Sequence, residues 1–267
     1  MIKEYYTLTR LQMEQVDKTK TLVIVPLGAV EQHGNQAPLG TDTLIAGEMV
    51  KRIRAKLQED EEFLKKDVNV LTFPVIPVGY SVEHQNFCGS VTFKPETYYH
   101  VLYDICDGLG RHGFKNIVFL ICHGGNRALA EVVSRQARQD LGVKVFLVAS
   151  GAFSSPRVKA TVSPGNEMDF HGGEMETAMV MAIDESLVDL ETSAPGHHRY
   201  TRKGKKLSFG GSVALPWMGE DFVTEEDLPI GIGGDPKGAT AEKGEIILDE
   251  SAKEVIEGII DIAEACF

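Results

Sequence analysis

Apolar residues along this chain follow two alternating patterns. Four short runs are apolar almost without interruption: Thr21–Leu27 (TLVIVPL), residues 68–78 (VNVLTFPVIPV), residues 116–122 (NIVFLIC) and residues 143–149 (VKVFLVA). Runs of this length, rich in β-branched residues, suit strands covered on both faces. Between them, apolar residues return every three or four positions. Residues 42–57 carry Leu44, Ile45, Met49, Val50 and Ile53 in this way. Residues 95–112 carry Tyr98, Val101, Leu102, Ile105 and Leu109, and open on a proline suited to a helix's first turn. Residues 126–141, 174–188 and 251–266 complete the predicted helices. Strand–helix alternation predicts a layered α/β fold with a mainly parallel sheet. Residues 191–240 break the pattern, with many glycines and few long apolar runs. They read as an excursion of loops and short strands, a lid or a subunit contact. No linker divides the chain, so residues 1–267 are expected to form a single domain.

Composition narrows the function classes. At 267 residues and 43% hydrophobic, the chain can bury a sizeable core without disulfides. A formal net charge of −12 disfavours nucleic acid, because neutralising phosphates needs clustered Lys and Arg. The one basic cluster, Arg199, Arg202, Lys203, Lys205 and Lys206, reads as a solvated loop. The cysteines Cys88, Cys106, Cys122 and Cys266 form no CxxC pair, which argues against a zinc finger. The stretch MIKEYYTLTR lacks the apolar run of a secretory signal, and no segment approaches the ~20 apolar residues that span a bilayer. The expected setting is the reducing cytoplasm, with no membrane partner.

Chemistry concentrates at the turns. Glu31-Gln32-His33-Gly34 lies just past the carboxyl end of the first strand, where open α/β sheets gather their sites. One residue separates Glu31 from His33, so extended backbone would aim both the same way. Alone, such a pair is better read as two polar residues of a surface loop. Asp42 follows Pro38 and Gly40 at a helix start, where an N-cap role competes with bridging two metals through its two oxygens. Cys122-His123-Gly124-Gly125-Asn126 follows another strand and opens a helix. Its glycines permit a sharp turn and close ligand approach, and the helix end offers free N–H groups. A plain βα turn is the competing reading, and the Lys-Ser/Thr of a phosphate loop is missing. His171-Gly172-Gly173-Glu174-Met175-Glu176 opens a further helix. The helix dipole accounts for one of its glutamates; two beside His-Gly-Gly look like a site. Mixed nitrogen and oxygen donors suit Zn, Mn or Fe and do not choose among them.

These motifs, in this order, resemble the creatininase (creatinine amidohydrolase-like) family. PLGAVEQHGNQAPLGTDTLIA is similar to its Glu-x-His signature and downstream Asp, and GYSVEHQNFCGSVTF to its Gly-x-Ser-x-x-His segment. NIVFLICHGGN and HGGEMETAMVM resemble two further family motifs. The resemblance implies a three-layer α/β/α sandwich, a centre of one or two divalent ions, a small-molecule substrate and a homo-oligomer, commonly a hexamer. It implies metal ligation by Glu31, His33, Asp42 in the bridging position, and His123. Creatininase supplies a fifth ligand as a Glu two residues after the matching His, which is Gly125 here. The resemblance moves that role to Glu174, with Glu176 competing for it or acting as a base. His171 matches a substrate-contacting or proton-transferring His, and Ser81 a substrate-contacting Ser. The N–H groups of Gly124 and Gly125 would face a developing oxyanion. The expected activity is hydrolysis of a C–N bond in a cyclic amide or formamide by a metal-activated water. Creatininase has a Trp-Asp pair before its His-Gly-Gly, whereas Glu167-Met168-Asp169-Phe170-His171 has no Trp. The creatinine-enclosing pocket is therefore expected to be absent. Ring opening of an oxidised inositol or other cyclic ketone, and a non-catalytic metal-containing binding protein, are the alternatives.

Overall fold

Two of the uninterrupted apolar runs occupy the middle of a parallel sheet. The computed structural model describes residues 1–166, 169–200 and 213–267. Its main sheet contains β1 (Ile2–Glu4), β2 (Thr21–Leu27), β3 (Asn69–Thr72), β4 (Asn116–Ile121) and β5 (Lys144–Ala149). They stand in the order β1-β3-β2-β4-β5, all parallel. Every residue of β2 and β4 is buried, as their unbroken apolar character requires, while β5 at the edge is half covered.

The helices are α1 (Arg10–Gln15), α2 (Thr41–Glu59), α3 (Glu61–Leu64), α4 (Pro95–Arg111), α5 (Asn126–Leu141), α6 (Pro156–Lys159), α7 (Glu174–Asp184) and α8 (Ala241–Cys266). Strand alternation sends them to two faces. Leu22 and Ile24 of β2 and Val118 and Leu120 of β4 pack with Ile45, Met49 and Ile53 of α2, Met179 of α7 and Ile259 of α8. Val23, Val25 and Phe119 pack on the other side with Leu102 and Leu109 of α4 and Val133 of α5. The result is the expected α/β/α sandwich with a separate core on each face of the sheet.

Three elements differ from the sequence expectation. The run 68–78 is a strand only over Asn69–Thr72, because Pro74 and Pro77 cannot donate to a ladder. The edge strand β1 has three residues and carries no periodicity to detect. Helix α8 begins at Ala241, ten residues before the predicted start at Ser251. Thr240 caps it, its side chain accepting from the Lys243 N–H, and Gly244 lies directly against the Ala178 carbonyl of α7. A side chain at Gly244 would force the two helices apart. The excursion after residue 190 contains a two-stranded antiparallel pair, β6 (His197–His198) and β7 (Phe222–Val223). In the basic cluster, Arg202, Lys203, Lys205 and Lys206 lie outside the described residues, as do Glu167 and Met168; Arg199 reaches Asp227 at 3.6 Å. Among the described residues no helix is long and apolar enough to cross a membrane.

Sheet order places the site. From β2 the chain crosses to β3 on one side and then to β4 on the other, leaving a crevice at the carboxyl ends of β2 and β4. Leu27 pairs with Ile121, so both strands end level. Asn126, fully buried at the start of α5, ties the loops above them. Its Nδ2 donates to the Gly28 carbonyl at 3.0 Å and its Oδ1 accepts from the Tyr80 N–H at 2.9 Å. Gly79 is needed there because a Cβ would strike this amide. Asn126→Ala strands both backbone groups, each worth about 1–3 kcal/mol. Urea unfolding should show a loss of about 2–4 kcal/mol; a loss below about 0.5 kcal/mol would mean the loops are held some other way.

Candidate metal centre

Five acidic and imidazole side chains converge in this crevice from four turns. Glu31 and His33 lie past β2, where Gly34 at φ +76° turns the chain back. Asp42 sits in the first turn of α2, but Gly40 occupies the N-cap position, so the Asp42 carboxylate is not a cap. His123 follows β4 directly, and Glu176 stands in the first turn of α7. Gln36 fastens the turn before α7 to the turn after β2. Its Nε2 donates to the His33 carbonyl at 3.0 Å and the Gly172 carbonyl at 2.8 Å.

The donor atoms form two sets that share Asp42. In one, His123 Nδ1 lies 3.1 Å from Glu31 Oε1 and 3.6 Å from Asp42 Oδ2. In the other, His33 Nε2 lies 3.6 Å from Asp42 Oδ1 and 3.6 Å from Glu176 Oε2. Both oxygens of Glu31, Oδ2 of Asp42 and Nε2 of His33 are buried without a hydrogen-bond partner. Buried polar atoms are rarely left so. Ligands about 2.0–2.2 Å from one ion stand roughly 3.0–3.6 Å from each other, which is the spacing found here. The residues present therefore fit divalent-metal binding at this cluster, with Glu31, His33 and Asp42 close enough together to hold an ion.

Hydrogen bonds behind the rings decide which nitrogens face inward bare. His33 Nδ1–H donates to the Glu31 carbonyl at 3.1 Å, leaving the Nε2 lone pair toward Asp42. His123 Nε2–H donates to the Tyr80 carbonyl at 3.0 Å, leaving Nδ1 free. His171 Nε2–H donates to the Gln32 carbonyl at 2.9 Å, again leaving Nδ1 inward, 4.0 Å from Glu176 Oε2. His84 is the exception. The Gln32 amide donates through Nε2 to the Gly231 carbonyl at 2.7 Å and accepts through Oε1 from the Gly34 N–H at 2.9 Å, which fixes its orientation. The same Nε2 approaches His84 Nδ1 at 2.9 Å. His84 Nδ1 must accept, so its inward Nε2 keeps a proton, 3.6 Å from Glu31. Glu31, His84 and His171 are close enough to hold an ion, but the proton on His84 Nε2 leaves that ring no inward lone pair.

Electrostatics agree with this division. Burial alone would depress His33; Asp42, Glu176 and Glu31 outweigh it and push the imidazole up to about 10. Burial likewise opposes, and Glu31, Asp42 and Glu83 outweigh it, at His123, also pushed up to about 10. Burial raises Asp42, with Glu31 adding to it, and burial raises Glu176. At Glu31 burial is outweighed by His123, His171 and His84, which hold the carboxyl well below its ordinary value. Burial pushes His84 down to about 4 and, with the His33 and His84 charges, holds His171 well below its usual range. The acids around His33 and His123 thus call for positive charge that only protons or metal ions can bring.

The structure gathers Glu31, His33, Asp42, His123, His171 and Glu176, and does not bring Glu174 among them. Glu174 points to the other side of α7, where Lys243 Nζ lies at 2.5 Å and Ser163 and Asn166 donate to the same carboxylate. Two residues along a helix face different ways, which is why spacing could not separate Glu174 from Glu176. Ser81 is buried behind His123, its Oγ 3.2 Å from Nε2, and does not line the cavity. Gly124 and Gly125 do line it. That cavity, about 810 Å³, opens over the cluster. Trp217 forms part of its wall, 5.3 Å ring to ring from His84 and edge-on to Phe170. Gln32 was the residue sequence reasoning overlooked; its place between Glu31 and His33 was the available signal.

A parallel α/β/α sandwich with a His–carboxylate cluster at the carboxyl ends of its strands is a layout suited to metal-dependent hydrolysis. Comparison with known proteins gives the class: residues 6–259 match the family model Creatininase: Creatinine amidohydrolase, and the chain belongs to the creatininase family, a family of hydrolases. It is 30% identical over 246 residues to the mycofactocin precursor peptide peptidase of Mycolicibacterium smegmatis (strain ATCC 700084 / mc(2)155), covering 88% of this chain and 83% of that one. The fold is similar to a solved structure described as Creatininase Mn, with TM-score 0.73, 22% identity, and 96% and 97% of the two chains covered. It is also similar to a mutant creatininase of Zn-Zn type, with TM-score 0.74, 23% identity, and 96% of each chain covered.

The two glutamates of α7 should separate experimentally. Glu176→Ala should lower bound metal while leaving the unfolding midpoint of the metal-free protein within about 1 kcal/mol of its parent. Glu174→Ala should do the reverse, costing on the order of 3 kcal/mol by leaving Lys243 without its buried partner. Elemental analysis and urea unfolding of both variants check this; metal lost from the Glu174 variant and kept by the Glu176 variant would invert the assignment.

Proposed function

We propose that this chain hydrolyses the C–N bond of an amide, in a cyclic amide, a formamide or a short peptide, using a pair of divalent ions. The observation that carries the reading is the pair of donor sets sharing Asp42, bare of hydrogen bonds and open to a cavity. We assign Glu31, Asp42 and His123 to one ion, and His33, Asp42 and Glu176 to the other. Zn or Mn suits these nitrogen and oxygen donors, and Fe(II) remains compatible. When bound, such ions supply Lewis acidity and bring the pKa of a water close to neutral.

The chain's own groups divide the rest. Gly124 and Gly125 make no backbone hydrogen bond through their N–H groups, which suits them to face the carbonyl oxygen as it gains charge. His171 is neutral, with Nδ1 bare toward Glu176 and Nε2–H anchored on Gln32, so it can take the proton of the attacking water. Oxygen adds to the carbonyl carbon, the C–N bond breaks, and the proton passes from His171 to the leaving nitrogen. The products are a carboxylic acid and an amine. His84 keeps a proton on the Nε2 that faces Glu31 at 3.6 Å. The family resemblance also supports a homo-oligomer, with the hexamer as the form to seek.

Loading the protein with Zn, Mn or Fe(II) and offering lactams, formamides and dipeptides tests this reading. His33→Ala should lose metal and turnover together; turnover without metal would sink it. The pH dependence has a definite sign. Without an ion, the carboxylates keep His33 and His123 protonated up to about 10. Both must shed a proton to coordinate, so loading at neutral pH should release about two protons, and affinity should rise with pH up to that value. The same protons stabilise the metal-free fold: this contribution is complete below the ordinary histidine pKa and is lost as pH rises through about 10. Titration of zinc into weakly buffered protein with a pH indicator measures the release, and none detected would contradict the ligand assignment.

A further inference from the structure

The cavity over the cluster holds a cation that the hydrolytic reading does not use. Among the described residues lining it, Arg127 is the one lysine or arginine. It sits in the first turn of α5, beside Gly124 and Gly125. Arg127 makes no ion pair or side-chain hydrogen bond with a described residue. Its side chain is exposed, and Glu131, one turn along, is paired with Arg135 at 2.6 Å. In a chain of net charge −12, a guanidinium left unpaired at the cavity is notable because carboxylates are plentiful. Phe153, Phe170, Met175 and Trp217 give the same space an apolar side, and Tyr80, Glu83, Ser150 and Asp169 also line it. A volume of about 810 Å³ is at the upper end of small-molecule sites and far exceeds what the reacting amide alone would fill.

An occupant matching all three features has its amide at the acidic end, an apolar or aromatic body along the wall, and a negative group at Arg127. We propose that Arg127 is a specificity-determining residue, selecting substrates that carry a carboxylate on an apolar or aromatic body. Naming the reacting group an amide rests on the proposed function; the preference for an anion does not. Arginine suits this task because its planar fork binds a carboxylate bidentately.

Trp217 is the only tryptophan of the chain and stands in the cavity wall, so its emission reports occupancy without any turnover. The test titrates zinc-loaded protein with 3-phenylpropanoate and with 3-phenylpropanol, an inert pair differing in charge. Wild type should bind the acid roughly tenfold more tightly than the alcohol, the scale of one charged hydrogen-bonded contact at a partly exposed site. Arg127→Ala should abolish that preference and leave the alcohol's affinity unchanged, and Arg127→Lys should restore part of it. A preference that survives in Arg127→Ala would place the carboxylate on the metal cluster and overturn the proposal. Equal affinity for the two probes in wild type, or binding of neither, would also overturn it. If the preference tracks Arg127 while no amide is ever hydrolysed, the hydrolytic reading fails and this one stands.

Discussion

Three carboxylates buried within reach of one another are the constraint on which this molecule depends. Glu31 and Asp42 are almost wholly inaccessible, and Glu176 is one-fifth exposed at its side chain. Charges removed from water are tolerated only when compensated. Yet Glu31 has no hydrogen-bond partner at either oxygen, and His33 faces its carboxylates at 3.6 Å, beyond hydrogen-bonding range. Protons on His33 and His123 balance the charge without giving these atoms good geometry. Ions between them would do both. The level ends of β2 and β4, the Asn126 clamp over the loops and the Gln36 link to Gly172 all bring like charges together, which a fold has no reason to do unless a cation joins them.

The supporting residues work mainly by choosing which proton goes where. Backbone carbonyls take the outer N–H of His33, His123 and His171, so the inward nitrogen is bare on His171 and is the one His33 and His123 free when they shed a proton. One amide, Gln32, reverses the choice at His84. Four imidazoles in one cluster therefore differ in which nitrogen carries the proton. Ring identity alone would not distinguish them, and neither would proximity, since Glu31, His84 and His171 lie close enough to hold an ion just as Glu31, His33 and Asp42 do.

Much of this was legible before any coordinates. The uninterrupted runs of β2 and β4 announced buried parallel strands, and the turns after them carried Glu31, His33 and His123. Asp42 was visible, but its two roles could be separated only by the backbone, where Gly40 rather than Asp42 holds the cap position. Glu174 and Glu176 could not be told apart because the difference is the direction a helix gives each side chain, settled here by the long-range partner Lys243. The early start of α8 was hidden because Gly244 reads as a helix breaker until α7 is found packed against it. Local rules describe neighbours in sequence; each of these misses depended on a neighbour in space.

The aromatic wall shows the same limit from the side of specificity. The stretch before His171 lacks the tryptophan that encloses creatinine in creatininase, and from sequence the cavity was expected to lack such a wall. Space is walled nonetheless, by Trp217 arriving from the glycine-rich excursion and set edge-on against Phe170 and Phe222. A tryptophan delivered from a different segment encloses a different shape. It leaves about 810 Å³, lined by Arg127 as well as by the residues of the cluster. Selectivity in such a space comes from groups remote from the cluster, whose contacts position whatever molecule occupies it. The residues of the cluster can thus stay constant while the excursion changes what the cavity accepts.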